Sequence, residues 1–438
     1  MKHRKTSRTT ALLACSTVAA LALAACGGDD DDDAADSPAA TEAPADAPAE
    51  TTADTDAPAD EPADTEAPAD TEAPADEPAG TEPAGEPGDG PAEGVLAGVC
   101  PDTVVIQTDW NPEAEHGWIY ELIGDDYEID TGAVAVRGTL VSQGVDTGVQ
   151  IEIRSGGPAI GFQTVTSQLY SDDAITLGYV YTDEGIQNSA EFPTLAVMAG
   201  MEKNPQMIMW DPETYPDVET IADLGEAGVT VRYFGGAAYM DYFTQSGILS
   251  PDQVDGSYDG TPAVFVAEQG ASAQQGFGSA EPYVYENEVA EWGKPIAYAY
   301  INDAGWENYA ESIAIKADRL DELSPCLELL VPMIQQSSID YLNAPDDTNA
   351  MIIEAVEAFD NGWVYTEGVA AYAVETMIND GLLSNGPDDI LGNFDMDRVA
   401  DLIEKAIPVY ESLGQAPKDG LVPEDVVTNQ FIDETIGL

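Results

Sequence analysis

Side chains that could hold a small molecule are concentrated in one stretch, IQTDWNPEAEHGWIYELIG, at residues 106–124. His116 and Tyr120 are four residues apart and would share one face of a helix. Together with Trp110 they could stack against a flat ligand, and such aromatic contacts add about 0.5–1.5 kcal/mol beyond the area that they bury. Asp109 or Glu113 could accept hydrogen bonds from an amine or face a cation.

Part of this stretch has a plainer interpretation. Trp118 and Tyr120 could be packing residues, and Glu113 and Glu115 could only favour the start of a helix. For Trp118 we expect packing. His116 is the only histidine besides His3, so a site with several histidine ligands is excluded, and we predict neither a metal nor a cofactor.

Three further segments follow predicted strands and could reach the same ligand. In RYFGGAAYMDYF, the pair Gly235-Gly236 between a strand and a helix would expose backbone N–H groups, unless it is only a tight turn. Rings flank that pair. The candidate residues of the three segments are Ser155, Gly156 and Gly157; Tyr233, Phe234, Gly235, Gly236 and Tyr239; and Glu281 and Tyr283.

The elements that must position these residues alternate between short apolar strands and helices. This order predicts an α/β fold with parallel sheets covered by helices. Strands are expected at TVVIQTDW, VQIEIRSGG, AITLGYVY, TPAVFVAEQG and KPIAYAYIN, and a helix at EHGWIYELIGDDY. From about residue 320 helices dominate, with apolar residues at helical spacing such as Ile352, Ala355, Val356 and Phe359.

The N-terminus indicates export. A basic start is followed by the apolar run ALLACSTVAALALAAC, which is typical of a secretory signal rather than a spanning helix. The sequence Leu23-Ala24-Ala25-Cys26-Gly27 resembles the lipobox of bacterial lipoproteins, which implies removal of residues 1–25 and lipidation of Cys26. An ordinary cleavage site with a chance cysteine is the alternative. The lipid would anchor the chain to the extracytoplasmic face of the cell membrane.

Residues 26–93 read as an acidic tether built from Ala, Pro, Asp, Glu and Thr, in which TEAPAD recurs. Such a segment has little apolar surface to bury and repels itself, so we expect disorder and a spacer role. A glycosylated stalk is the alternative. The whole chain has 83 acidic against 14 basic residues and a net charge of −69, which argues against nucleic-acid binding.

Four cysteines are present, and two of them remain after the signal residue Cys15 and the lipid-bearing Cys26 are set aside. In an oxidising compartment a remaining pair is often bonded. We therefore predict a disulfide between Cys100 and Cys326, with two buried free thiols as the alternative.

The folded part resembles the substrate-binding proteins of ABC importers, within the group that binds nitrate, sulfonates, taurine and thiamine-pyrimidine precursors. The segment DWNPEAEHGWIY is similar to the start of that family, with Glu113 in place of its usual asparagine. FPTLAVMAGMEKNPQMIM, IADLGEAGVTVRYFGG, QGFGSAEPYVYENE and GWENYAESIAIKADRL resemble later family segments in the same order. The family positions matched in the first segment are Asp109, Trp110, Pro112, His116 and Tyr120.

The resemblance implies a type 2 periplasmic-binding-protein fold of two lobes joined by two crossovers. Lobe 1 would comprise residues 94–191 and 304–438, the latter mostly helical, and lobe 2 residues 192–303. The implied function is a monomeric solute-binding lipoprotein that closes around a small molecule and delivers it to an ABC permease, without being an enzyme.

Few bases and several acids favour an amine-bearing or neutral ring, such as a thiamine pyrimidine precursor. A small anion held by Arg154 or Arg232 is the alternative. A cell-wall lipoprotein without a transport role, or an enzyme on the same fold, is the alternative of another class. The motif Gly-x-Ser-x-Gly of serine hydrolases is absent.

Overall fold

A computed structural model describes residues 94–438. The predicted signal at 1–25, the lipidation site Cys26 and the tether at 26–93 lie outside the described residues, so these remain predictions. Within residues 94–438, no helix is both long enough and apolar enough to cross a membrane.

The described chain contains short strands in its first two thirds and long helices at its C-terminal end. The strands are β1 Thr103–Gln107, β2 Glu128–Asp130, β3 Ala135–Ser142, β4 Val145–Arg154, β5 Leu177–Val180, β6 Thr194–Met198, β7 Gln206–Trp210, β8 Val231–Arg232, β9 Val254–Asp255, β10 Ala273–Phe277, β11 Ala297–Tyr300 and β12 Ser312–Lys316. The helices are α1 Gly117–Tyr120, α2 Val165–Ser171, α3 Thr182–Asn188, α4 Ile221–Ala227, α5 Ala238–Gln245, α6 Ala263–Ala267, α7 Glu281–Asn287, α8 Leu320–Asn343, α9 Asp346–Phe359, α10 Glu367–Asn379 and α11 Met396–Ser412.

The strands form two sheets. The first has seven strands in the order β2-β3-β4-β1-β5-β12-β6, and the second has five in the order β11-β7-β10-β8-β9. The chain passes from the first sheet to the second after β6 and returns between β11 and β12. The α/β prediction with two crossovers is therefore confirmed. We call the part built on the first sheet lobe 1 and the part built on the second sheet, residues 206–300, lobe 2.

Both sheets are mixed, so the expectation of parallel sheets was wrong in detail. Strand β1 is parallel to β4 and β5, but β12 is antiparallel to β5 and β6. Strands β3 and β4 form a hairpin whose turn residues Gln143 and Gly144 have φ of 50° and 74°. Positive φ at both positions is the signature of the two-residue turn that joins twisted antiparallel strands.

Three local predictions are corrected. Strand β6 pairs with β12 in the first sheet, so residues 194–198 belong to lobe 1, and lobe 2, at residues 206–300, begins later than residue 192. The run AVFVA forms α6 instead of a strand: Phe265 is buried and Val264 exposed, while β10 occupies the place in the sheet. The helix predicted from Glu115 to Tyr127 is a 3-10 turn at Ala114–His116 followed by the single turn of α1.

The predicted disulfide is confirmed: Cys100 and Cys326 are bonded, with their Cα atoms 4.7 Å apart. It ties the start of the described chain to α8. Helix α9 buries Ile352, Ala355 and Val356, as the apolar spacing predicted.

Arg398 of α11 holds both crossovers, residues 199–205 and 301–311. Its guanidinium donates to the backbone oxygen of Glu202 at 2.8 Å in one crossover and to that of Glu307 at 2.7 Å in the other. The crossovers also contact each other, because the amide of Asn204 donates to that of Asn308 at 2.8 Å.

Candidate functional site

A cavity of about 390 Å³ lies between the two lobes. Both lobes and one crossover contribute to it. The residues that line it are Asp109, Trp110, Glu113, Glu115, Gln163, Thr164, Val165, Tyr181, Asp183, Glu184, Gln187, Trp363 and Tyr410 from lobe 1, Asn308 from the crossover, and Gln206, Phe234, Gly236, Ala237, Ala238, Tyr239, Tyr258, Gly260, Gln275, Gly276, Phe277, Ala280 and Glu281 from lobe 2.

The cavity is strongly acidic. Six of the described residues that line it are Asp or Glu, and none of them is Lys or Arg. Burial raises the pKa of Glu184 and of Glu281 to about 7. Burial, and after it the charges of nearby acids, raises the pKa of Glu113 well above its ordinary value. The carboxyl groups of Glu184 and Glu281 are therefore partly protonated near neutral pH. No Lys or Arg is found among the described residues that line the cavity.

The loop that carries Asp109 and Trp110 leaves the end of β1 and is held by two glycines. The N–H groups of Gly156 and Gly157 donate to the backbone oxygens of Trp110 and Asp109, each at 2.8 Å. A side chain at Gly156 would place its Cβ 2.3 Å from the Asp109 backbone, so the close approach requires glycine. Gly156 and Gly157 therefore position the loop, and neither they nor Ser155 line the cavity.

On the lobe 2 side, Gln275 of β10 organises the wall. Its Oε1 atom accepts from the N–H of Phe234 at 3.1 Å and from the hydroxyl of Tyr239 at 2.6 Å. Glu281 begins α7, and its Oε2 atom accepts from the N–H of Phe277 at 2.6 Å. The turn after β8 and the start of α7 thus meet at one end of the second sheet.

Aromatic pairs from each lobe reach the cavity. Trp110 meets Trp363 edge-on with ring centroids 5.9 Å apart, and Phe234 lies 4.8 Å from Tyr258. All four residues line the cavity. A flat or cationic group between them would find ring faces on both sides.

Of the predicted ligand-binding residues, the structure places the following at the cavity surface: Asp109, Trp110, Glu113, Phe234, Gly236, Tyr239 and Glu281. Tyr233 and Gly235 adjoin it without lining it. His116 and Tyr120 are fully buried behind the wall, so the expectation that they face the cavity was wrong. The 3-10 turn that replaces the expected helix points His116 inward.

Two other aromatic residues of the predicted segments pack elsewhere. Tyr283 faces α10, with its ring centroid 5.8 Å from that of Tyr372, so it is not a cavity residue. Trp118 is fully buried and stacks on Tyr179 at 5.3 Å, which confirms the packing interpretation.

Sequence reasoning missed the segment Tyr181, Asp183 and Glu184, which follows β5 directly. Asp183 accepts from the amide of Asn308 at 2.8 Å and from the indole of Trp306 at 3.2 Å. The Glu184 carboxylate accepts from the Thr166 N–H at 3.0 Å. The sequence did contain a signal for these residues. Strand β5 is buried and parallel to β1, so the polar residues that follow it lie at the same edge of the sheet as Asp109. Trp363, within a C-terminal loop, offered no such signal.

The two arginines considered for an anion do not line the cavity. Arg154 pairs with Glu152 and, at 2.8 Å, with Asp172. Arg232 pairs with Asp255 and, at 2.7 Å, with Glu268. Both guanidinium groups are thus engaged by carboxylates outside the cavity.

No family model and no curated protein matches this chain. Solved structures are similar to it at low identity. The periplasmic aliphatic sulphonate-binding protein SsuA of Escherichia coli is 13% identical with a TM-score of 0.49, over 76% of this chain and 94% of its own. A putative periplasmic sulfonate-binding protein of Methylobacillus flagellatus is 12% identical with a TM-score of 0.48, over 75% and 92%.

Proposed function

We propose that this chain is a solute-binding protein that captures a small amine-bearing or cationic ring between its two lobes. The observation that carries the proposal is a cavity between the lobes lined by six carboxylates and, among the described residues, by no Lys or Arg. A thiamine pyrimidine precursor or a similar amine-bearing heterocycle is the favoured ligand. The chain holds and releases its ligand without breaking a bond.

Charge decides between the ligand classes. A buried carboxylate without a positive partner is costly, and here the cost appears as the raised pKa of Glu113, Glu184 and Glu281. An ammonium or amidinium group would restore the ionised forms and gain charge-assisted hydrogen bonds. An anion would add to the repulsion, and Arg154 and Arg232 are not placed to offset it.

Size and shape agree with a small ring. A volume of about 390 Å³ lies at the lower end of the range for small-molecule sites, which is roughly 300–1,000 Å³. The rings of Trp110 and Tyr258 come from different lobes, so closure would enclose a flat ligand from two sides.

The proposed place of work is the extracytoplasmic face of the cell membrane, with an ABC permease as partner and Cys26 as the lipid anchor. Changing Cys26 to Ser is expected to release the chain from the membrane fraction or leave its signal unprocessed. Metabolic labelling with a fatty acid checks this, and a labelled, membrane-bound Cys26→Ser variant would contradict the anchor.

Calorimetry with matched probes tests the ligand class. The probes are 4-aminopyrimidine compared with pyrimidine, benzylamine compared with the neutral benzyl alcohol, and the anions methanesulfonate and nitrate. We expect saturable binding of the amines and none of the anions. Tight binding of an anion that is lost in Arg154→Ala or Arg232→Ala, with no response to the amines, would overturn the proposal in favour of the anion alternative.

A further inference from the structure

Beneath the lobe 1 wall of the cavity, three potential metal ligands converge. The donor atoms of Asp109, His116 and Glu311 all lie within 4.8 Å of one another. Asp109 also lines the cavity, whereas His116 is fully buried and Glu311 is 2% exposed. The three residues come from the loop after β1, the adjoining 3-10 turn and the residue before β12.

Within the described residues, the ring nitrogens of His116, Oδ1 of Asp109 and Oε2 of Glu311 make no hydrogen bond. Nε2 of His116 faces carboxylates only, with Oδ1 of Asp109 at 3.2 Å and Oε1 of Glu113 at 3.8 Å. Buried polar atoms are nearly always paired in proteins, so several unpaired ones facing a common point require an explanation. The phenol oxygen of Tyr179 is also buried and unpaired, and its ring meets His116 edge-on at 5.1 Å.

The spacing of two of the three ligands suits a single ion. Nε2 of His116 lies 3.2 Å from Oδ1 of Asp109. Two ligands bound at about 2.0–2.2 Å to a tetrahedral ion are roughly 3.3–3.6 Å apart, so these two atoms need to move only by a few tenths of an ångström. The Glu311 oxygen lies within 4.8 Å of both. Glu311 has a φ of 51°, a left-handed conformation that is unfavourable for a glutamate and that the surroundings must maintain.

The cluster concentrates carboxylates around one imidazole, since Oε1 of Glu113 also lies 3.8 Å from Nε2 of His116. A divalent ion bound by the three residues would offset the charge of two carboxylates. The imidazole nitrogen favours Zn²⁺ and other first-row transition ions over Mg²⁺ and Ca²⁺, which take oxygen ligands.

We propose that Asp109, His116 and Glu311 bind one divalent transition-metal ion at the floor of the cavity. The ion would enter through the cavity past Asp109, and a coordination position on that side is left for water or for a donor atom of the ligand. This site is additional to the capture of an amine, which five other cavity carboxylates can serve, and the two proposals can fail separately.

The test is metal binding by the untagged full-length chain, with free thiols alkylated and resident metal removed by EDTA followed by dialysis. Zn²⁺ is titrated in a large excess of Mg²⁺, so that the many surface carboxylates are occupied. We expect one tightly bound Zn²⁺ per chain by calorimetry and mass spectrometry. Binding should weaken at least about 100-fold in His116→Gln and in Glu311→Gln. Loss of one of three ligands accounts for an effect of this size.

The matched control is Glu184→Gln, which removes a carboxylate from the same cavity outside the cluster and should leave Zn²⁺ affinity within about threefold. Co²⁺ provides a readout that does not depend on any variant folding. Wild-type chain should develop a visible absorption that saturates at one equivalent and disappears when Zn²⁺ is added. A Co²⁺ spectrum like that of the free ion, or equal Zn²⁺ binding by wild type and His116→Gln, would overturn the proposal.

Discussion

The wall that lobe 1 gives to the cavity carries five of its six carboxylates, whereas the wall from lobe 2 carries Glu281 alone and otherwise presents rings, amides and backbone. The lobe 1 acids follow strands of the seven-stranded sheet and are fixed by neighbouring elements. Gln275 and Tyr239 of lobe 2 satisfy each other and remain neutral. From this difference we expect lobe 1 to select the charge of the proposed ligand and lobe 2 to select its shape.

The largest effect is expected from Glu184→Gln. Glutamine can still accept from the Thr166 N–H, so the change removes charge while keeping that bond. A hydrogen bond to a charged group contributes about 1.5–3 kcal/mol, so amine affinity should fall roughly 10- to 100-fold. Calorimetry with the tightest amine of the probe set measures this. Unchanged affinity would mean that lobe 1 does not select charge.

Trp110→Ala comes next, with an expected loss of about 1–3 kcal/mol of binding free energy for a heterocycle, because an aromatic anchor is removed. Phe162→Ala is the control: Phe162 lies 6.0 Å from the Trp110 ring but does not line the cavity. Equal losses in both variants would assign the effect to the packing of the loop rather than to contact with the ligand.

Binding should strengthen between pH 6 and 8 by about tenfold for each carboxyl of pKa near 7 that the ligand needs in its ionised form. The pKa of Glu184 and that of Glu281 are both raised to about 7. A cation binds the ionised carboxylate, so below that pKa a proton must leave first, and affinity rises with pH and levels off near pH 8. An amine that stays protonated over this range is the probe.

The interpretation of this pH dependence of binding depends on which groups surround the carboxyls of Glu184 and Glu281. Glu184 faces the Thr166 N–H and the acids Asp183 and Asp109. Glu281 faces the Phe277 N–H and Glu115, with Tyr258 and Tyr285 nearby. In the double variant Glu184→Gln, Glu281→Gln the slope should become much shallower, and any remainder is assigned to Glu113, whose pKa burial raises well above its ordinary value. Affinity that rises as pH falls would instead indicate an anionic ligand.

The smallest effect is expected on the neutral wall. Tyr258→Leu keeps an apolar side chain but removes a ring, and an aromatic pair contributes about 0.5–1.5 kcal/mol beyond its buried area. Affinity for a benzylamine-like probe should fall by about two- to tenfold, and equally for the neutral ring analogue. If affinity falls for the charged probe alone, lobe 2 also discriminates between ligands by their charge.

Much of this architecture could be predicted, because strand and helix periodicity and the order of family-like segments depend on local sequence. The disulfide followed from counting cysteines. The helix at Ala263–Ala267 could not be predicted, since five apolar residues have no distinguishing period and the neighbouring strand β10 took the sheet position.

The site was predictable only where polar residues follow a strand, as at Asp109. Glu281 was found through its family-like segment. The burial of His116 depends on a 3-10 turn that its sequence does not predict. Trp363 reaches the cavity only through tertiary packing. The mixed strand directions likewise follow from the crossovers and the hairpin rather than from strand composition.

Because Arg398 binds both crossovers, these two segments are the expected axis of any motion that opens the cavity. If the lobes rotate about these two segments, displacement grows with distance from them. Asp183, bonded to Asn308 in one crossover, would lie close to the axis, while Phe234, Tyr258 and Glu281 belong to lobe 2 and would be displaced further from lobe 1. On opening, a bound molecule would therefore separate first from the lobe 2 rings and last from Asp183 beside the crossover.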